Sequence, residues 1–206
     1  MASQASLLTR NETDIDKEWM NQAHRHRFPI KLYEFNKISN ATAIRSLKGP
    51  TNLESINHRF DYGDKAKSAV LRASRHLNTE FPGSEGKLKR DYLMLKDAES
   101  IYFIGNFSTG RERLQVSGNE AWLVEMFYDI YISKHNKPKR FPIYMYNTHY
   151  DSWCQLTMTE DKENPSKKLP KWIKISRPPR PRGNFVGVGG SILNDNIRYE
   201  IGLFFK

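Results

Sequence analysis

Cysteine is almost absent. Cys154 stands alone in 206 residues, which excludes an intrachain disulfide and a Cys-rich metal site. A reducing, cytoplasmic setting is the simplest expectation from that usage. Long apolar runs are missing as well. No stretch approaches the ~18 consecutive apolar residues of a membrane-spanning helix, and the start, MASQASLLTRNETD, has no cationic segment followed by an apolar one. Neither membrane insertion nor secretion is therefore expected. The six His show no metal-ligand spacing, since His24 and His26 diverge on a helix, and no motif calls for a cofactor. There are no solenoid repeats. Hydrophobic residues make up only 38%, but aromatics reach 12% and the apolar residues cluster, which opposes global disorder.

What is present in excess is positive charge. Thirty-three Lys and Arg against twenty-three Asp and Glu give +10, enough to draw phosphates, nucleic acid or acidic surfaces. Lys65, Lys67, Arg72, Arg75, Lys87, Lys89 and Arg90 would follow a nucleic-acid backbone if they shared a face, but solvated helices carry such charge routinely, and nucleic acid is not the favoured partner. Arg177, Arg180 and Arg182 lie in a Pro-rich stretch that reads as an extended spacer or a docking segment.

The length suits one α/β domain spanning 1–206. Asp14 to His26 predicts a helix, with Ile15, Trp19, Met20 and Ala23 on one face and Thr13 or Asp14 as the N-cap. Pro29 to Phe35 reads as a strand. From 36 to 63 the pattern dissolves into Asn, Ser, Gly and Pro, an irregular excursion. Asp64 to Asn78 predicts a basic helix, Phe81 to Gly86 a break, and Leu88 to Asp97 a further helix. Ser100 to Gly105 is a compact apolar run, the pattern of a central strand covered on both faces. After the polar loop 106–115, Ala121 to Tyr131 gives a broad apolar helix, and Phe141 to Tyr146 the next strand. Strand, helix and strand in that order imply parallel pairing with a right-handed crossover. A charged, Pro-rich connection occupies 159–183, with a short edge strand at Lys171 to Ser176. Asn184 to Gly189 is a strand that turns at Gly190 into a helix from about Leu193 to Phe205. The fold class expected is a Rossmann-like three-layer α/β domain with a mainly parallel sheet.

In such sheets a ligand lies beyond the carboxyl ends of the strands, where helix N-termini present free N–H groups. Two segments fit: Gly105-Asn106-Phe107 with Val116-Ser117-Gly118-Asn119-Glu120, and Gly187-Val188-Gly189-Gly190-Ser191. For the first, the alternative is a helix-capping turn. For the second, it is tight strand-to-helix packing.

These segments carry a resemblance. Asp97 to Gly105, Val116-Ser-Gly-Asn-Glu-Ala-Trp-Leu-Val-Glu-Met-Phe-Tyr-Asp129, Pro142 to Tyr146 and Gly187-Val-Gly-Gly-Ser191 together resemble the Rossmann-like SLOG superfamily. That group includes YpsA-like proteins and, more distantly, the Lonely Guy phosphoribohydrolases; Asp14 to Phe35 is similar to its first helix and following strand. Asn119 and Glu120 stand where the family pattern has Gly-Thr, and Gly190-Ser191 where it has Ser-Arg. The resemblance implies a nucleotide or nucleotide-derived ligand held by Gly105, Asn106, Ser117, Gly118, Asn119, Gly187 and Gly189. It also implies an alternative, N-glycosidic hydrolysis of a nucleoside phosphate, with Glu125 as the catalytic carboxylate and Arg90 as a phosphate clamp. A carboxylate on an ordinary helix is the competing reading of Glu125. A third reading is a basic interaction protein with a decayed pocket. Homo-oligomerisation stays open.

Overall fold

The computed structural model describes residues 5–36, 41–48, 52–56, 63–77, 85–109, 113–135, 140–161, 168–190 and 192–206. The strands among them are β1 (Leu7–Thr9), β2 (Ile30–Asn36), β3 (Ala41–Lys48), β4 (Asn52–Ile56), β5 (Ser100–Gly105), β6 (Arg140–Asn147), β7 (Ser152–Glu160), β8 (Lys168–Ile175) and β9 (Phe185–Gly189). The helices are α1 (Asp14–Arg25), α2 (Gly63–Ser74), α3 (Glu85–Lys96), α4 (Glu120–Lys134) and α5 (Asp195–Gly202). All nine strands join one sheet in the order β4-β3-β2-β1-β9-β5-β6-β7-β8.

The centre of that sheet, β2-β1-β9-β5-β6, is parallel throughout. Each flank is extended by two antiparallel strands, β3 and β4 on one side and β7 and β8 on the other. The parallel centre and the β5-α4-β6 crossover match the expectation from sequence. The last strand, β9, runs back into the middle and pairs with both β1 and β5, with Leu7 opposite Phe185 and Ile101 opposite Val186.

Alternation along β5 shows why its sequence is apolar without interruption. Ile101 and Phe103 enter one core with residues of α2, α3 and α4, while Tyr102 and Ile104 enter a second core with residues of α1 and α5. A strand buried on both faces has no polar position to spare. Helix α4 is nearly as buried, from Glu120 through Tyr128, because α2 and α3 cover it on the side away from the sheet.

Helix α1 is set by local chemistry. The Thr13 side chain accepts the Asp16 N–H, and the Asp16 carboxylate accepts the Thr13 N–H, a reciprocal capping box. Acidic residues in the first turn and His24 and Arg25 in the last complement the helix dipole. Trp19, fully buried, meets the rings of Phe185, Phe204 and Phe205 edge-on and ties α1 to β9 and the carboxyl end of the chain.

Two expectations need correction. The irregular excursion at 36–63 contains β3 and β4, and the charged connection at 159–183 begins inside β7; the edge strand expected at Lys171 to Ser176 is β8, which starts earlier, at Lys168. These strands pair antiparallel with their neighbours in the chain, and strands toward a sheet edge tolerate polar residues, so they lack a strong apolar pattern. The polar start likewise hides β1, whose three residues are wholly buried. Most of the break at 81–86 and Ser191 lie outside the described residues.

Candidate functional site

The turn after β1 is where a parallel α/β sheet can offer a helix N-terminus to an anion. Here that position is filled by the chain itself. The Asp16 carboxylate accepts the Glu12 and Thr13 N–H groups at 3.2 Å, the Gly189 N–H at 3.2 Å and Arg10 Nε at 3.0 Å. Thr13 Oγ1 donates to the Gly189 carbonyl at 2.8 Å, so the end of β9 is clamped to the start of α1.

Arg10, 3% exposed, also meets Asp91 at 3.3 Å and Glu120 at 3.6 Å. Burial opposes its charge, but Asp16, Asp91, Glu120 and Glu12 hold the guanidinium protonated well above its ordinary value. Arg90 is equally buried and binds Asp91 and Glu12, and Lys87 reaches Glu12 at 2.8 Å. Burial pushes the Glu12 carboxyl up, yet Arg90, Lys87 and Arg10 outweigh that and hold it at about 2. Arg90, expected as a phosphate clamp, is thus committed to internal carboxylates. Arg72 and Lys87, from the basic set considered for nucleic acid, likewise face Asp129 and Glu12.

The turn after β5 is different. A cleft of about 190 Å³ opens beside it, lined by Ile15, Ile104 and Ile197 in its apolar part and by Asn106, Ser117, Glu120, Thr148 and Asn194 in its polar part. Gly105, Gly118, Gly190 and Ile192 complete it. These residues come from the carboxyl ends of β5, β6 and β9 and from the N-terminal ends of α1, α4 and α5. The cleft therefore lies where open α/β sheets bind ligands.

Its polar wall is preorganised. Asn106 Oδ1 accepts Thr148 Oγ1 at 2.7 Å and the His149 N–H at 3.2 Å, which fixes the amide. Ser117 donates both its N–H and its hydroxyl to the Asn106 carbonyl. Gly118 has φ +76, a conformation costly for other residues, and a Cβ there would stand 3.2 Å from Glu120 Oε2. The glycine thus lets the Glu120 carboxylate lie over the turn. Asn119 is the N-cap of α4 but makes no side-chain capping bond, so α4 begins without the closure seen at α1.

Of the residues singled out in the sequence, Gly105, Asn106, Ser117 and Gly118 meet at the cleft, and Asn119 adjoins it. Gly187 and Gly189 do not line it. A Cβ on Gly187 would fall 2.6 Å from the Trp19 ring, and one on Gly189 2.6 Å from Ile15. Both lie beneath α1 and allow its close approach to β9.

Glu125 is also elsewhere. It is 1% exposed, on the face of α4 toward the other core, and is held by Arg113, which reaches Asp129 at 2.9 Å as well. Arg113 lies over the Tyr128 ring, 4.6 Å from its centroid. Burial pushes the Glu125 carboxyl up to about 7 against the pull of Arg113, and its Oε1 has no hydrogen-bond partner among the described residues. This ion pair anchors the loop between β5 and α4.

Thr148, Asn194, Ile15 and Ile192 carried no local signal, because three separate connections bring them to the cleft. Glu120 did stand out, as a carboxylate at a helix start. Among the described residues there is no cluster of three His, Cys, Asp or Glu suited to a metal ion, and no helix long and apolar enough to cross a membrane. No family model, no curated protein and no solved structure matches this chain.

Proposed function

We propose that this chain is a Rossmann-like three-layer domain that binds a nucleotide-derived small molecule in the cleft beyond β5, β6 and β9. The observation that carries the reading is the convergence of three strand ends and three helix starts on one partly apolar cleft. The resemblance of Val116 to Asp129 and of Gly187 to Ser191 to the SLOG superfamily supports the same ligand class. At about 190 Å³ the cleft lies below the ~300 Å³ where drug-sized sites begin, so it suits one nucleoside-sized moiety and is too small for a dinucleotide.

Glycosidic hydrolysis through Glu125 has less support, since a catalytic carboxylate must reach the reacting sugar and Glu125 is spent on Arg113 away from the cleft. Isothermal titration with nucleosides, nucleoside monophosphates and ADP-ribose tests the proposal. Heat is expected with at least one, weakened about tenfold or more by Gly190→Leu, whose side chain enters open space at the cleft, while thermal melting is unchanged. Binding is expected to survive Glu125→Gln. No heat with any of these compounds rejects the reading.

A further inference from the structure

The helix starts around the cleft share one feature. Each carries its own carboxylate in the first turn: Asp14 and Asp16 in α1, Glu120 in α4 and Asp195 in α5. Asp16 accepts the N–H groups at the start of α1, and the Asn194 side chain accepts the Ile197 N–H at the start of α5. Among the described residues no Lys or Arg lines the cleft, although the chain as a whole carries +10. The nearby Arg10 is enclosed by Asp16, Asp91 and Glu120. The electrostatics of a phosphate site are thus cancelled from within, and a phosphate entering would meet the Glu120 carboxylate with no Lys or Arg among the described lining residues to offset it.

What Glu120 retains is hydrogen-bonding capacity. It is 7% exposed and lines the cleft, and its only nearby cation among the described residues, Arg10 at 3.6 Å, is shared with Asp16 and Asp91. A carboxylate accepts two hydroxyl donors side by side, the arrangement a vicinal diol presents. Asn106, Ser117, Thr148 and Asn194 add polar groups on the same wall, and Ile15, Ile192 and Ile197 offer an apolar surface to a flat ring. Ile192 is 82% exposed at the mouth, an apolar residue with no core to cover.

We infer that the cleft takes an unphosphorylated ribonucleoside, its ribose hydroxyls donating to Glu120 and its base lying against Ile15, Ile192 and Ile197, and that it discriminates against the matching nucleoside phosphate. This inference rests on the reading of the cleft as the site of a nucleotide-derived ligand. It departs from the sequence expectation of a phosphate-binding turn, and the departure comes from Glu120 and Asp16.

Titration of the full-length protein with the common ribonucleosides, their 5′-monophosphates and their 2′,3′-dideoxy analogues tests it, with Glu120→Gln in parallel. One ribonucleoside is expected to bind at least about tenfold tighter than its monophosphate and its dideoxy analogue. In Glu120→Gln, which removes the charge and leaves one acceptor oxygen where there were two, the preference over the monophosphate is expected to collapse and the dideoxy discrimination to shrink. A merely structural role for Glu120 would weaken all ligands together and leave the ratios intact, which overturns the inference. A monophosphate that binds as tightly as its nucleoside in the native protein overturns it too and leaves the ligand-class reading standing. No binding by either series sinks both.

Discussion

The turns after β1 and after β5 occupy equivalent places in the sheet and meet opposite fates. Both follow a parallel strand and lead into a helix on the rim where ligands bind. After β1, Asp16 takes the N–H groups, Arg10 takes Asp16, and Thr13 takes Gly189, so every strong donor is answered from within the chain. After β5, the N-cap residue makes no side-chain bond, Gly118 turns with positive φ, and a cleft remains. The difference teaches that a helix N-terminus is only a potential binding element. Whether it binds depends on which internal acceptor reaches it first.

Breaking the first turn at its hub should have the largest effect. Arg10→Met removes the cation that faces Asp16, Asp91 and Glu120 and leaves buried carboxylates unpaired. A loss of roughly 3–5 kcal/mol is expected by urea denaturation. The Arg113–Glu125 pair, in the loop and helix that follow β5, answers to pH instead. Glu125 holds its proton up to about 7 in the folded protein against an ordinary value of 4.5, so the folded state binds the proton more tightly. The stability this confers is present in full below pH 4.5 and is lost as the pH rises through 7, on the order of 3 kcal/mol. Glu125→Gln should flatten that part of the stability–pH curve; an unchanged slope would count against the burial account.

Smaller effects separate packing glycines from cleft glycines. Gly187→Ala drives a Cβ against Trp19 and should cost about 1–3 kcal/mol, whereas Gly190→Ala, with nothing near its Cβ, should stay within about 0.5 kcal/mol. The caps give a smaller contrast. Thr13→Ala should cost about 1 kcal/mol through the lost capping box, and Asn119→Ala close to nothing, both read from thermal melting. Equal costs at the two caps would erase the contrast between the turns.

The same contrast marks what could be read from sequence. The β5-α4-β6 unit was legible because burial on both faces demands the unbroken run Ile101 to Ile104, and the α1 cap because Thr13 and Asp16 act within one turn of chain. Strands β3, β4 and β7 were not, since they lie in the antiparallel flanks of the sheet, where polar residues are tolerated and no unbroken apolar run is demanded. Within the site, Gly105, Asn106, Ser117 and Gly118 were legible as the end of a strand and the start of a helix. Ile15, Thr148 and Asn194 reach the cleft only through the sheet order. Gly187 and Gly189 show the limit of motif reading: the glycine spacing that can admit a phosphate here admits Trp19 and Ile15.

Amide NMR during a titration with the ribonucleoside that binds tightest by calorimetry tests the opposition of the two turns most directly. The account predicts shifts at the N–H groups of Gly105, Asn106, Ser117, Gly118 and Gly190, with those of Glu12, Thr13 and Asp16 unmoved. Shifts centred on Glu12 to Asp16, or saturation with that ribonucleoside and no shift at the cleft, would contradict it.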